Sequence, residues 1–158
     1  MRFLRGLLKL AIVLALAVVV LRLTHPLPDL PAGEASAAIP VSEETRLGAA
    51  LLPLMEQHDG LSGVVPLADG RDALAARILL ARAAEQSIDV QYYIWQMDTT
   101  GWLLLEELRA AAERGVRVRM LLDDNGIPGL DNVLAPLDAT ENVEIRLFNP
   151  STMRSPKL

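Results

Sequence analysis

Acidic, amide and phenolic side chains lie near the carboxyl ends of three segments of the sequence that have the composition of β-strands. Tyr93 and Asp98 belong to the first of these places, Asp123 and Asp124 to the second, and Asn149 to the third. In parallel α/β sheets, ligands bind beyond the carboxyl ends of the strands, where such residues gather. The five residues are therefore predicted to form the rim of a substrate pocket.

The adjacent acids Asp123 and Asp124 allow two interpretations. A pair of carboxylates at a strand end is able to bind a metal ion or to act as a general acid–base pair. However, neither a histidine nor a third acid stands at ligand spacing, and the following Asn125 and Gly126 are typical turn residues. The pattern favours acids that cap a turn, and no metal or other cofactor is predicted.

The aromatic residues near Asp98 also have a structural interpretation beside the functional one. Tyr92 and Tyr93 alternate along a strand, so at most one of them faces a pocket. Trp95 and Trp102 flank the turn and are able to line a groove for acyl chains, but packing in the core is favoured for both. Asp98 is interpreted as the N-cap of the next helix.

The elements that must position these residues alternate between strand and helix. Strands are predicted at Ile88–Trp95, Val116–Leu122 and Val143–Phe148, with a helix ending at Gly115 between the first two and a short helix, interrupted at Pro136, within Gly129–Ala139. Two earlier helices are predicted, one from its N-cap Ser42 to near His58 and one over Asp72–Gln86 capped by Asp69. This order predicts an α/β fold with a parallel β-sheet flanked by helices.

The amino-terminal part of the chain has a different character. Residues 1–23 carry four basic residues and an uncharged apolar run, which predicts a signal anchor or transmembrane segment. Residues 24–41 are a proline-rich linker, and residues 42–158 form the folded part. The basic flank predicts a plasma (inner) membrane protein with a cytoplasmic amino terminus and an extracytoplasmic, in a bacterium periplasmic, body.

The charge balance argues against a nucleic-acid partner. The chain has a net charge of −5, and the residues after residue 23 hold eleven bases against twenty acids. An acidic body without a basic stripe lacks the electrostatic signature of phosphate-backbone binding. The chain has no cysteine, so disulfides and thiolate metal sites are excluded.

Four segments between Gly63 and Pro150 carry a resemblance to a known family: SGVVPLADGRDALAARILLARAAEQ, SIDVQYYIWQMDTTG, AAERGVRVRMLLDD and ENVEIRLFNP. In this order they resemble the first part of a phospholipase D superfamily domain of the cardiolipin synthase-like branch. The resemblance implies metal-independent chemistry on phosphodiesters, in which the histidines of two His-x-Lys-x4-Asp motifs form a phosphohistidine and protonate the leaving alcohol.

This chain contains no His-x-Lys pair, because its histidines are His25 and His58 and its lysines are Lys9 and Lys157. No catalytic residue is therefore assigned. The chain is predicted to be the amino-terminal portion of a membrane-anchored phosphatidyltransferase, inactive alone. Its partners would be the phospholipid membrane and the remainder of its own domain, or a second subunit, to complete the sheet. The alternatives are a noncatalytic membrane-tethered interaction module and a phosphodiesterase or nuclease of the same superfamily.

Overall fold

A computed structural model describes residues 2–24 and 35–150 of the chain. Within these residues, helices and parallel strands alternate as the sequence predicts. The helices are α1 (Arg2–Thr24), α2 (Arg46–Glu56), α3 (Gly70–Ala83), α4 (Thr99–Glu113) and α5 (Asp131–Asp138), and the strands are β1 (Ser87–Tyr92), β2 (Arg117–Asp123) and β3 (Val143–Phe148). A 3-10 turn at Asp124–Gly126 follows β2.

The three strands form one sheet in the order β1-β2-β3, with both pairs parallel. Ser87 aligns with Arg117 at one end of the first pair, and Val118 aligns with Val143 at the start of the second. The predicted α/β class with a parallel sheet is confirmed. All three strands end at the same edge, so their carboxyl ends lie next to one another.

The core lies on one face of the sheet. Every second residue of each strand points to that face, where α4 and α5 cover it. Leu108 of α4 is 2% exposed and Met120 of β2 is 1% exposed, which marks the centre of this layer. Its buried members come from β2, both helices and the loops at the strand ends: Trp95, Leu104, Leu105, Leu108, Ala111, Ala112, Val116, Val118, Met120, Leu122, Ile127, Leu130, Leu134 and Leu137.

The opposite face of the sheet is polar. Arg119 of β2 binds the Asp89 carboxylate of β1 through two nitrogen–oxygen contacts of 2.7 Å each. The same guanidinium donates to the backbone oxygen of Ser36 at 3.0 Å, and Arg117 donates to that of Ala37 at 2.9 Å. Residues 35–41 of the predicted linker have no regular secondary structure, and Ser36 and Ala37 contact this face. Thr24, the first residue of that predicted linker, is instead the last residue of α1. Residues 25–34 of that linker lie outside the described residues.

The described residues divide into two units: α1 belongs to the first, and residues 35–149 belong to the second. In the first unit, α1 spans 23 residues. The predicted transmembrane segment at residues 1–23 is nevertheless wrong, because no helix of the described residues is long and apolar enough to cross a membrane. Lys9 and Arg22 leave twelve uncharged residues between them, about 18 Å of helix against a hydrocarbon core of about 30 Å.

Several boundaries of helices and strands differ from the predicted ones. The cap of α2 is Thr45, whose side chain accepts from the Gly48 amide, and not Ser42. The first strand ends at Tyr92 rather than Trp95, because the Trp95 amide donates to the Gly126 carbonyl at 3.0 Å and so leaves the ladder. The predicted interruption at Pro136 is also wrong, since α5 continues through it.

Candidate site at the carboxyl edge of the sheet

Asp123 is buried and hydrogen-bonded at the end of β2. Its side chain is 5% exposed, and one carboxylate oxygen accepts from the backbone amide of Asn125 at 2.9 Å. The other oxygen accepts from the side-chain amide of Asn149 at 3.2 Å. The pair joins the end of β2 to the end of β3, so two of the predicted rim residues are brought together.

Asp124 begins the 3-10 turn and is 1% exposed. Asp124 is not without an interaction partner either. Buried carboxylates with partners maintain the shape of a loop, whereas a free pair would be available for proton transfer. No group of three metal-ligating His, Cys, Asp or Glu side chains occurs among the residues that the structure describes. The geometry at Asp123 agrees with the turn-capping interpretation.

Asp98 caps α4, as interpreted from the sequence. One of its oxygens accepts from the Gly101 amide at 2.8 Å and from the Thr100 hydroxyl at 2.7 Å. The Gly101 amide, followed by the Thr100 hydroxyl, holds the pKa of the Asp98 carboxyl below its usual value of 3.8. The charge also lies at the positive end of the α4 dipole, which favours the ionised form.

The aromatic residues after β1 separate into buried and exposed ones. Trp95 is 4% exposed and meets Tyr92 edge-on, with ring centroids 4.8 Å apart. Tyr93 is 72% exposed and Trp102 is 52% exposed. Core packing is therefore observed for Trp95 but not for Trp102, and Tyr93 is the exposed tyrosine of the pair.

Two glycines allow the loops of this edge to approach one another. A Cβ added at Gly101 would lie 1.9 Å from the backbone oxygen of Gln96, and one added at Gly126 would lie 1.6 Å from that of Tyr93. Real Cβ atoms essentially never approach closer than 3.0 Å. The loop after β1 thus packs against the turn after β2 with no room for a side chain between them.

A cleft of about 330 Å³ opens beside Asp98, between the first turns of α3 and α4. Tyr92, Trp95 and Thr100 line it together with Arg77 of α3. Arg77 is an exposed residue of α3, and its guanidinium donates to the backbone oxygen of Ala73 at 3.0 Å. The cleft presents a guanidinium, a carboxylate and a hydroxyl, groups that suit a polar ligand with both donors and acceptors.

The cleft and the Asp123–Asn149 pair are two separate parts of the edge. Neither contains a histidine or a lysine, and His58, a residue that the structure describes, lies after α2. The arrangement is able to hold and orient a polar group. It offers no nucleophile of the kind that phosphohistidine chemistry requires.

The fold and site define a one-sided parallel α/β unit with a rigid acidic edge, and comparisons with known proteins place it in a family. The chain is 57% identical to Cardiolipin synthase C of Escherichia coli (strain K12) over 109 residues, which are 69% of this chain and 23% of that protein. It is 37% identical to an uncharacterized protein of Helicobacter pylori (strain ATCC 700392 / 26695) over 111 residues, 70% of this chain and 22% of that protein.

A third relative, Cardiolipin synthase A of Citrobacter koseri, is 33% identical over 89 residues, 53% of this chain and 18% of that protein. The chain is therefore a cardiolipin synthase homologue and belongs to the cardiolipin synthase-like branch of the phospholipase D superfamily, which confirms the resemblance. It spans about a quarter of the length of these relatives or less.

No protein-family model matches the chain. Among solved structures, that of the archaeal chromatin protein TrmBL2 has a TM-score of 0.44 and 19% identity, and it covers 65% of this chain and 41% of that one. A likeness at this level bears on neither fold nor function.

Proposed function

We propose that this chain supplies a noncatalytic part of an enzyme that transfers a phosphatidyl group between phospholipids, as a cardiolipin synthase does. The observation that carries the proposal is the 57% identity to Cardiolipin synthase C over 109 residues. Because these 158 residues contain no His-x-Lys pair, the histidine that attacks phosphorus and the histidine that protonates the leaving alcohol would both lie outside them. The chain alone is inactive.

The contribution of this chain is to build and hold one wall of the site. The Asp123–Asn149 hydrogen bond and the close approach at Gly126 fix the loops after the three strands relative to one another. A preorganised wall lowers the cost of orienting a substrate, because little loop entropy is lost when the substrate binds. A phospholipid is favoured over a nucleic acid as the substrate, since the net charge is −5.

Two measurements test the proposal. The purified full chain, mixed with phosphatidylglycerol vesicles, is expected to form no cardiolipin or phosphatidic acid above the protein-free control. A chimera of Cardiolipin synthase C that carries the matched 109 residues of this chain is expected to make cardiolipin within about tenfold of the parent. Turnover by the chain alone, or a folded chimera without activity, would refute the proposal.

A second function has one observation in its favour. Residues 34–149 form a compact unit with a continuous core of their own, as a noncatalytic interaction module requires. Such a module would unfold in one cooperative step as a monomer. Cooperative unfolding together with an inactive chimera would favour this function over the enzyme fragment.

A further inference from the structure

The indole nitrogen of Trp95 is buried without a hydrogen-bond partner. Trp95 is 4% exposed, and its Nε1 donates to no acceptor among the residues that the structure describes. Buried N–H groups nearly always have a partner, because an unpaired one loses the hydrogen bond that it makes with water in the unfolded chain. The nitrogen of Trp95 is therefore a donor that lacks an acceptor.

This nitrogen lies beside the cleft next to Asp98. Trp95 and Gly101 both line the cleft, and a Cβ added at Gly101 would lie 3.1 Å from Nε1. Gly101 belongs to the first turn of α4 and has no side chain to separate the nitrogen from the cleft. The nitrogen itself is covered, so a ligand reaches it when this first turn moves slightly outward.

Two charged groups of opposite sign line the same cleft. Arg77 donates to its own helix at the Ala73 oxygen and forms no ion pair within the part of the chain that the structure describes. The hydrogen bonds of Asp98 with Thr100 and Gly101 both go to Oδ1, so Oδ2 takes part in neither. Arg77 and Asp98 do not pair with each other, and the space between them is open to a ligand.

These groups together select the chemistry of a ligand. Trp95 and Arg77 need an acceptor oxygen, whereas Asp98 needs a hydrogen-bond donor. An anion is repelled by the Asp98 carboxylate and an ammonium ion by the Arg77 guanidinium. A hydroxyl group is neutral, and it both donates and accepts. Tyr92 and Trp95 add the aromatic surface on which the carbon atoms of a small ligand pack.

We propose that this cleft binds a small neutral polyol, whose hydroxyl groups accept from the Trp95 indole and donate to the Asp98 carboxylate. The cleft volume of about 330 Å³ equals that of about ten water molecules at about 30 Å³ each, which is room for glycerol or one sugar ring. Such hydroxyls occur on free polyols and on phospholipid headgroups. The inference goes beyond the proposed function, because binding requires no transferred group and no other polypeptide.

The two tryptophans of the chain make the site directly observable. Each gives one indole N–H signal in a proton–nitrogen correlation spectrum, and Trp102→Phe assigns them. When glycerol is titrated into the full chain, the Trp95 indole proton is expected to move downfield and to saturate, because it gains a hydrogen bond. The Trp102 signal should stay in place, since Trp102 lies outside the cleft lining. A Trp95 signal that does not move, or that moves without saturating, would overturn the inference.

Two arginines of α3 provide matched variants. Arg71 and Arg77 are both exposed, and only Arg77 lines the cleft. Arg77→Met is expected to raise the dissociation constant for glycerol about tenfold, because a hydrogen bond from a charged donor is lost. Arg71→Met should change it by less than about twofold. The same spectra show whether each variant is folded, and equal effects of the two variants would contradict the site.

Other probes test the ligand class and its source. Inorganic phosphate, ammonium or the zwitterion glycine, if any of them moves the Trp95 signal further than glycerol does, would overturn the assigned class. Short-chain phosphatidylglycerol that gives the same shift and binds more tightly than glycerol identifies a lipid headgroup as the source, and weaker binding identifies a free polyol.

This inference and the proposed function fail in different ways. Saturable binding of glycerol by the chain, together with a folded but inactive chimera, contradicts the proposed function alone. An active chimera together with an unchanged Trp95 signal contradicts the polyol site alone.

Discussion

Replacement of Gly126 by alanine tests whether the loops at the carboxyl edge are in fixed contact. The new Cβ would lie 1.6 Å from the Tyr93 oxygen and 3.1 Å from the Ile94 Cα. Both neighbours are backbone atoms, so no side chain can rotate away. The loop after β1 or the 3-10 turn must move by about 1.5 Å to restore ordinary contact, since real Cβ atoms stay beyond about 3.0 Å.

The expected cost comes from two sources. Overpacking of a tight contact destabilises by about 1–3 kcal/mol. The movement also strains or breaks the hydrogen bond from the Trp95 amide to the Gly126 oxygen, now 3.0 Å, which adds about 1 kcal/mol. The free energy of unfolding should therefore fall by about 2–4 kcal/mol.

The assay is urea denaturation of the full chain, followed by far-ultraviolet circular dichroism. Gly63→Ala serves as the control, because an added Cβ there has no atom within 4 Å, and it should change the stability by less than about 0.5 kcal/mol. Equal unfolding free energies for the two variants would show that the loops separate freely, and the rigid wall invoked for the proposed function would be refuted.

Three further predictions concern the core, the helix cap and the rim. Leu108→Ala should lower the unfolding free energy by about 2–5 kcal/mol. Leu103→Ala, at a side chain that is 48% exposed, should lower it far less. Similar denaturation midpoints for the two variants would contradict the placement of Leu108 in the core. The folded pKa of Asp98 is lowered, so its contribution is present above the unfolded pKa of about 3.8 and is lost as the pH falls through the lower folded value. Asp98→Asn removes this titration. In thermal melts between pH 6 and 2.5, the difference in stability between the unchanged protein and the variant should therefore become smaller as the pH falls. A difference that becomes larger on acidification would contradict the capping role of Asp98. Asn149 has a φ of 50° and donates to Asp123. In denaturant titrations, Asn149→Ala should lower the unfolding free energy by about 1–2 kcal/mol, and Asn149→Gly, which tolerates the positive φ, by about 1 kcal/mol. A larger loss for the glycine variant than for the alanine variant would show that the positive φ does not contribute to the cost.

The elements with local signals could be predicted from the sequence. The third strand was predicted at its observed bounds, because Val143 and Ile145 alternate with charged residues across a full strand length. The caps at Asp69 and Asp98 were predicted because an acid stands directly before each helix. Gly115 was predicted to end α4, and its φ of 89° shows why a glycine is needed there.

Features that depend on tertiary contact could not be predicted. The cleft beside Asp98 is one such feature, because the packing of α3 against α4 brings Arg77 of α3 into its lining. The end of β1 was missed because a hydrogen bond to Gly126, thirty-one residues away from Trp95, takes the chain out of the sheet. The predicted membrane span rested on the uncharged apolar run with its basic flank, but the twelve residues of this run are too few to cross a membrane.

The assignment of Asp123, Asp124, Asn149, Asp98 and Tyr93 as pocket rim stays a prediction. The structure places them all at one edge of the sheet, but it also gives most of them a structural partner there. A rim residue with a structural role does not have to touch a substrate. Activity measurements on the chimera with these residues substituted would separate a structural role from contact with the substrate.

The strand order has a consequence for how the protein emerges from the ribosome. Each strand pairs with the one synthesised just before it, and paired residues such as Ser87 and Arg117 are only 30 positions apart. Translation proceeds at about 5–20 residues per second, so each helix and its following strand can dock onto the nascent sheet within seconds of appearing. The unpaired edge of the most recently formed strand is then available to the strand that is synthesised next. A stalled ribosome would leave that strand edge exposed, and exposed strand edges promote aggregation.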